Sequence, residues 1–152
     1  MDELKFAVIG NPVSHSLSPD IHLFFANQFQ LERYTYNKIK SNENDFERDI
    51  NDFFKNGGVG LNVTVPFKGL AYNLCDELDQ SAGLCKSVNT VLIDSGKLIG
   101  HSTDGQGLID DFLHKEITLE DSKILIIGAG GSAASIISSL LSHGKIKEIS
   151  IL

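Results

Sequence analysis

Residues 61–68 read Leu-Asn-Val-Thr-Val-Pro-Phe-Lys, and this stretch predicts a strand that ends at a polar site. Apolar residues alternate with Asn62 and Thr64, which predicts a strand over residues 61–65 with its polar side chains on one face. Pro66 has no backbone N–H to donate and should end that strand. Lys68 then falls just past the strand's carboxyl end, which is where open α/β sheets bind their ligands.

The composition is that of an ordinary globular chain of 152 residues, 41% hydrophobic and 22% charged. Thirteen Lys plus Arg against 20 Asp plus Glu give a net charge of −7, which disfavours nucleic acid or an anionic membrane as a partner. No apolar run has the length that a membrane span needs. The acidic N-terminus does not resemble a signal peptide, and Cys75 and Cys85 are predicted to be reduced thiols, so we expect a cytoplasmic protein. The histidines and cysteines match no ligand spacing, and we expect no metal site.

Strands and helices alternate over the first two thirds of the chain, which predicts an α/β fold with a mostly parallel open sheet covered by helices. The predicted strands cover residues 6–9, 33–39, 61–65, 88–93 and 98–100, and a short helix covers residues 68–74. Asp94-Ser95-Gly96-Lys97 is a hairpin signal that adds an antiparallel element. Residues 1–103 are therefore expected to form one α/β domain.

Two further helices have recognisable starts. Ser18 is predicted to cap the first, with Pro19 at its first helical position. Asp45 is predicted to cap the second. Apolar residues follow each cap at helical spacing: Ile21, Phe24, Phe25 and Phe29 in the first helix, and Phe46, Ile50, Phe53 and Phe54 in the second.

A new unit follows a helix and polar connector over residues 104–122. The apolar run at residues 124–127 predicts a buried parallel strand, and Gly128-x-Gly130-x-x-Ala133 then opens a helix that reaches about His143. This is the dinucleotide-binding pattern, in which Gly128 allows a tight turn and Gly130 lets the backbone approach a pyrophosphate. A tight turn that binds no nucleotide is the alternative.

Residues 123–152 are thus expected to be the first βαβ unit of an incomplete Rossmann domain. The residue that selects NAD or NADP should lie at the end of the second strand, and we expect it beyond Leu152, so the motif leaves that choice open. A single crossover helix leaves one face of residues 124–127 uncovered. That face and the open strand edge at residues 149–152 are expected to promote dimerisation.

Five motifs, in their order along the chain, resemble those of the shikimate dehydrogenases. They are residues 11–19 (Asn-Pro-Val-Ser-His-Ser-Leu-Ser-Pro), 62–68 (Asn-Val-Thr-Val-Pro-Phe-Lys), 88–90 (Val-Asn-Thr), 102–105 (Ser-Thr-Asp-Gly) and 128–131 (Gly-Ala-Gly-Gly). The resemblance implies a substrate-binding α/β domain followed by a Rossmann domain. It further implies NADPH-dependent reduction of 3-dehydroshikimate to shikimate in aromatic amino-acid biosynthesis, with this chain as an N-terminal portion.

The resemblance also assigns site residues. It implies that Ser16 and Ser18 bind the substrate carboxylate, that the ring hydroxyls are held by Thr64, Lys68, Asn89 and Asp104, and that Lys68 and Asp104 are the catalytic pair. The NADP cofactor would lie on the turn formed by Gly128, Ala129, Gly130, Gly131 and Ser132. Each substrate assignment has a structural alternative: a helix cap for Ser18, a strand-end hydrogen bond for Asn89 and an Asx turn for Asp104.

The chain departs from the family pattern at Ser102, where the family usually has asparagine. Two rival functions stay open. The chain could be a non-catalytic module that binds shikimate, or it could belong to a quinate/shikimate dehydrogenase that uses NAD.

Overall fold

The computed structural model describes residues 3–152, which form six helices and eight strands in two sheets. The strands are β1 (Leu4–Gly10), β2 (Tyr34–Lys40), β3 (Gly58–Val63), β4 (Glu77–Leu78), β5 (Thr90–Asp94), β6 (Lys97–His101), β7 (Lys123–Ile126) and β8 (Glu148–Ile151). The helices are α1 (Ser18–Gln28), α2 (Phe46–Lys55), α3 (Lys68–Leu74), α4 (Gln80–Cys85), α5 (Asp104–His114) and α6 (Gly131–His143).

The larger sheet has the order β2-β1-β3-β5-β6-β4. Strand β1 runs parallel to both β2 and β3, so the carboxyl ends of these three strands meet at one edge of the sheet. Strand β5 is antiparallel to β3 and β6, and β4 is parallel to β6. The α/β prediction is confirmed, and so is the hairpin, because Asp94 pairs with Lys97 across a turn at Ser95 and Gly96. Both turn residues have positive φ, as a two-residue hairpin requires.

The core of this sheet lies under α2 and α3. Phe46, Ile50 and Phe54 are buried, which confirms the predicted apolar face of α2, and the Phe46 ring lies 4.9 Å from that of Phe67. Phe67 is 1% exposed. This buried ring directly precedes Lys68, so it anchors the start of α3, which has the predicted bounds.

Strand β3 ends earlier than predicted. Its last residue is Val63, and Val65 is 62% exposed rather than part of the alternating face. The main chain follows β1 a little further, because Thr64 N donates to Ile9 O and Asn11 N donates to Val65 O. The last pair between β3 and β5 is Asn62 with Thr90, so beyond Val63 the chain keeps its hydrogen bonds to the β1 side alone.

Helix α1 also differs from its prediction. Leu17 is the N-cap residue and Ser18 the first helical residue, so the prediction of a Ser18 cap is wrong. The Ser18 hydroxyl instead receives a hydrogen bond from Ser16. The large apolar residues of the helix are largely exposed, from 46% at Phe25 to 59% at Phe24, and Phe29 just past its end is 74% exposed. Strand β4 and helix α4 had no sequence signal, because β4 has two residues and α4 has only six.

The second unit is a two-stranded parallel sheet, β7-β8, connected by α6. Ile109, Leu119 and Leu140 form its buried cluster. Leu125 and Ile127 are 61% and 79% exposed, which confirms an uncovered face. Within residues 3–152, no helix combines the length and apolar character that crossing a bilayer needs. Across the same range, no group of three or more His, Cys, Asp or Glu side chains is placed to hold a metal ion.

Candidate active site

Lys68 and Asp104 form an ion pair at the edge where the parallel strands end. The Lys68 ammonium contacts Asp104 Oδ2, and the two side chains are 13% and 24% exposed. Lys68 is the first residue of α3, and its carbonyl accepts a hydrogen bond from Val88 N. Asp104 is the first residue of α5, and its carboxylate bonds the side chains of Lys68, Asn89 and Ser132 instead of forming an Asx turn. The pair can hold a polar ligand atom between a cationic donor and an anionic acceptor.

The environment of Asp104 favours its ionised form. Burial alone would raise the pKa of this carboxyl, but the hydrogen bond and charge of Lys68 lower it, as do hydrogen bonds from Ser132 and Asn89. The net result is a pKa below the ordinary value of 3.8. The carboxylate is therefore an acceptor at neutral pH, and Lys68 donates a hydrogen bond to it.

Asn89 holds Asp104 from the other side. Its amide Nδ2 donates to Asp104 Oδ1 at 2.6 Å and to the Thr103 hydroxyl at 3.0 Å. Its Oδ1 accepts from Thr103 N at 3.1 Å. Asn89 thus satisfies a backbone group, as its structural alternative proposed, and also orients the carboxylate. The backbone bonds Asn89 N to His101 O and Val63 N to Asn89 O fix its position.

Ser16 and Ser18 lie together in the segment that follows β1. The Ser16 hydroxyl donates to Ser18 Oγ at 3.1 Å, and Ser18 N donates to Ser16 Oγ at 3.3 Å. Both residues are partly exposed. Two adjacent hydroxyl groups of this kind can donate to both oxygens of a carboxylate.

Tyr36 and Asn62 lie between the Ser16–Ser18 cluster and the Lys68–Asp104 cluster. Neither was among the predicted site residues. The Tyr36 hydroxyl donates to Asn62 Oδ1 at 2.7 Å, and its ring stacks on His22 at 4.4 Å. Burial raises the pKa of Tyr36 to about 12, against the opposing effect of a hydrogen bond with Ser18. Asn62 Nδ2 donates to Thr90 Oγ1 at 3.2 Å, and Thr90 donates to Asn89 Oδ1 at 3.1 Å. Hydrogen bonds therefore run from the serines to Asp104.

The alternation of Asn62 with Thr64 was the sequence signal that could have identified Asn62. Tyr36 gave no signal of its own, because an aromatic residue in a strand is usually part of a core. Thr64 lies in the segment between β3 and α3, beside Gly10. A side chain at Gly10 would collide with the Thr64 methyl group, so the glycine sets how closely the two segments approach.

The glycine-rich turn lies directly against the ion pair. Gly128 has φ +108°, and neither Gly128 nor Gly130 has another atom within 4 Å of the place where a Cβ would be. The turn borders a cavity of about 630 Å³ that is also lined by Pro66, Lys68 and Lys86. Open space on the turn and two lysines on the wall suit a diphosphate group. Ser132, from the turn, contacts both members of the ion pair: its hydroxyl accepts from Lys68 Nζ at 2.8 Å and donates to Asp104 Oδ2 at 2.9 Å.

Ser102, where the chain departs from the family pattern, lies behind the pair. Its hydroxyl donates to Ser135 Oγ at 2.8 Å, and Gly105 N donates to the same oxygen at 3.1 Å. Ser102 and Ser135 are 4% and 2% exposed. The hydroxyl at position 102 therefore helps to join the start of α5 to α6.

Comparisons with known proteins identify the family and the fold. Residues 8–91 match the model of the shikimate dehydrogenase substrate binding domain family. The chain is 43% identical over 140 residues to a shikimate dehydrogenase (NADP(+)) from Acinetobacter baylyi. The aligned region covers 92% of this chain and 53% of that protein.

Solved structures show the same fold. Shikimate 5-dehydrogenase from Listeria monocytogenes, in complex with shikimate and NAD, is 32% identical with a TM-score of 0.88, over 98% of this chain and 51% of that one. The enzyme from Thermus thermophilus, in complex with NADP(H) and shikimate, is 30% identical with a TM-score of 0.89, over 97% of this chain and 56% of that one.

This chain belongs to the shikimate dehydrogenase family, whose substrate-binding domain it contains. It spans about half the length of the relatives that it matches.

Proposed function

We propose that the chain supplies the substrate site and catalytic pair of a shikimate dehydrogenase that reduces 3-dehydroshikimate to shikimate with NADPH, in aromatic amino-acid biosynthesis. The observation that carries the proposal is the Lys68–Asp104 ion pair, held by Asn89 beside a dinucleotide-type turn. An ion pair against a glycine-rich turn is the arrangement that a carbonyl reduction needs, because it joins a proton donor to a place for a hydride donor.

The substrate would span the two clusters of side chains. Its carboxylate would accept hydrogen bonds from Ser16 and Ser18, whose hydroxyls lie 3.1 Å apart. Its ring hydroxyls would bond to Thr64, Lys68, Asn89 and Asp104. Local hydrogen bonds must hold this anion, since the chain carries a net charge of −7.

In the reduction, the Lys68 ammonium would donate a hydrogen bond to the carbonyl oxygen. It would then transfer a proton to that oxygen as the carbonyl becomes an alcohol. Asp104 would keep the ammonium aimed at that oxygen and accept a hydrogen bond from a neighbouring ring hydroxyl. A positioned acid of this kind contributes a factor of about 10²–10⁴ in rate. Because the pair is mostly buried, its charges act more strongly than they would in water.

Gly128, Ala129, Gly130, Gly131 and Ser132 would hold the diphosphate of the cofactor beside this pair. The bound nicotinamide would supply the hydride to the carbonyl carbon. The open space at Gly128 and Gly130 supports this use of the turn. We propose NADP as the cofactor, since the Acinetobacter relative is named for it and the Thermus structure contains NADP(H). The NAD in the Listeria structure favours a second candidate, a quinate/shikimate dehydrogenase that uses NAD.

The proposal extends to the domain boundaries, the location and the oligomeric state of the protein. We propose that residues 1–103 form the shikimate-binding domain, that 104–122 connect it, and that 123–152 begin the cofactor domain. Free thiols at Cys75 and Cys85 support a reducing, cytoplasmic location. We also propose a homodimer, on the evidence of the exposed Leu125 and Ile127.

The test is steady-state kinetics on this chain extended by a complete cofactor domain, with 3-dehydroshikimate and NADPH. Lys68→Ala should lower kcat by about 10²–10⁴ with a much smaller change in KM. Lys115→Ala is the matched control, because Lys115 pairs with Asp111 on the surface of α5. Loss of kcat/KM through KM alone would contradict a catalytic role. No turnover by the wild type would favour the binding module. Faster turnover of quinate with NAD than of shikimate with NADP would favour the second candidate.

A further inference from the structure

Ser132 occupies a position that a substrate alcohol would need. Its hydroxyl accepts a hydrogen bond from Lys68 Nζ at 2.8 Å and donates one to Asp104 Oδ2 at 2.9 Å. The backbone of Ser132 belongs to the first turn of α6, at the end of the glycine-rich turn. A side chain from the proposed cofactor segment therefore completes the ion pair of the proposed substrate site.

A serine hydroxyl and a secondary alcohol offer the same hydrogen-bonding groups. Each has one donor and two acceptor lone pairs, so each can accept from an ammonium while it donates to a carboxylate. Asp104 Oδ1 is already bonded to Asn89, and Oδ2 receives both Lys68 and Ser132. A ring hydroxyl that donates to Oδ2 must therefore compete with Ser132.

The turn also covers the pair sterically. A Cβ at Gly131 would lie 2.6 Å from Ser87 Oγ and 3.3 Å from Lys68 Cβ, so the backbone of the turn is packed against the lysine stem. Ser135, further along α6, bonds Ser102 and Gly105 at 2.8 and 3.1 Å. These contacts define a docked arrangement in which α6 leaves only 13% of the Lys68 side chain exposed.

We propose that Ser132 stands in for a substrate hydroxyl on the Lys68–Asp104 pair, and that the substrate must displace it to bind. The inference rests on the proposed function. Ser132 thereby acts as a positioning residue in the free protein, since it keeps the ammonium and the carboxylate in the geometry that the substrate uses. It also opposes binding, because two hydrogen bonds must break before a ring hydroxyl can form its own.

The experiment compares the wild-type chain with Ser132→Ala and Ser132→Thr. Ser142→Ala is the control, because it removes an exposed hydroxyl from the same helix that bonds only within that helix, to Ser138 O. Calorimetric titration with shikimate measures the affinity. Carboxyl ¹³C NMR measures the titration of Asp104 in the absence of any ligand.

Ser132→Ala should bind shikimate roughly fivefold to a hundredfold more tightly than the wild type, since the net contribution of two hydrogen bonds need no longer be lost on binding. Ser132→Thr, which keeps the hydroxyl, should bind shikimate more weakly than Ser132→Ala, and Ser142→Ala should have the wild-type affinity. The pKa of Asp104 should rise in Ser132→Ala alone, because the Ser132 hydroxyl stabilises the carboxylate.

Three other outcomes separate a failure of the Ser132 proposal from a failure of the proposed function. Unchanged or weaker shikimate binding by Ser132→Ala, with the wild type still binding, would overturn the displacement of Ser132 and leave the proposed function intact. An Asp104 titration that does not move would show that the contact is absent in solution. If neither protein binds shikimate, the proposed function fails and this inference fails with it.

Discussion

At the scale of single residues, the site combines groups that the sequence identified with groups that it could not. Lys68, Asn89 and Asp104 lie in one hydrogen-bonded cluster, as an ordered set of motifs implied. Tyr36 and Asn62 were missed because their role depends on β2 and β3 being brought together around β1. Tyr36 and Asn62 are 26 residues apart along the chain, and no local sequence pattern indicates that they meet.

The ion pair predicts how stability depends on pH. Since the folded pKa of Asp104 is below the ordinary value of 3.8, its stabilising contribution is complete above that value. The contribution is lost as the pH falls through the lower, folded pKa. Asp104→Asn should therefore be less stable than the wild type at neutral pH, and the difference should shrink as the pH falls below about 4 and Asp104 of the wild type becomes protonated.

Urea unfolding at a series of pH values checks this, with Asp111→Asn as the control. Asp111 pairs with Lys115 on the surface of α5, where such a pair is worth about 0.5 kcal/mol or less. A difference between Asp104→Asn and the wild type that stays constant over the pH range in which Asp104 titrates would show that the carboxylate is not stabilised in the folded state.

At the scale of elements, the spacing of apolar residues predicted the helix that buries one face. It did not predict where a strand ends or where the short elements lie. The apolar face of α2 and the bounds of α3 follow from local pattern. Strand β3 ended two residues early because its neighbours, and not its own alternation, decide where pairing stops. The short β4 and α4 are held by tertiary contacts, among them the bond from Ser81 to Ser102 O at 2.7 Å.

Helix α5 carries two glycines with opposite expected responses. A Cβ at Gly105 would overlap the backbone of Ser135, whereas a Cβ at Gly107 meets nothing within 4 Å. Gly105→Ala should destabilise the chain by about 1–3 kcal/mol, as overpacking does. Gly107→Ala should stabilise it by about 0.5–1 kcal/mol, because alanine is the better helix former.

Thermal or urea unfolding of both variants measures whether each alanine lowers or raises the free energy of unfolding. Equal stabilisation by both alanines would mean that α5 and α6 are not docked as the structure has them. That result would also remove the basis for placing Ser132 on the ion pair.

At the scale of the whole molecule, the second unit leaves apolar surface uncovered. Leu125 is 61% exposed on the β7 face opposite α6, and Ile127 beside it is 79% exposed. We expect the chain to self-associate through this face, since contiguous apolar surface of this kind marks an interface. Leu125→Lys should weaken association tenfold or more, because burying a leucine is worth about 1.5–3 kcal/mol.

Sedimentation velocity over a range of concentrations measures this association. Leu113→Lys is the control, because Leu113 is 55% exposed and belongs to α5 rather than to β7. Equal effects of the two lysines, or a wild type that stays monomeric throughout, would contradict a role for the β7 face.

We propose that shikimate binds across the Ser16–Ser18 and Lys68–Asp104 clusters. The most direct measurement is an NMR titration of the isotope-labelled chain with shikimate. We predict that the largest chemical-shift changes fall at Ser16, Ser18, Lys68, Asn89 and Asp104. We also predict that a Ser16→Ala and Ser18→Ala double variant binds more weakly by about 1–3 kcal/mol. Shifts confined to other surfaces, or an unchanged affinity in the double variant, would contradict this binding mode.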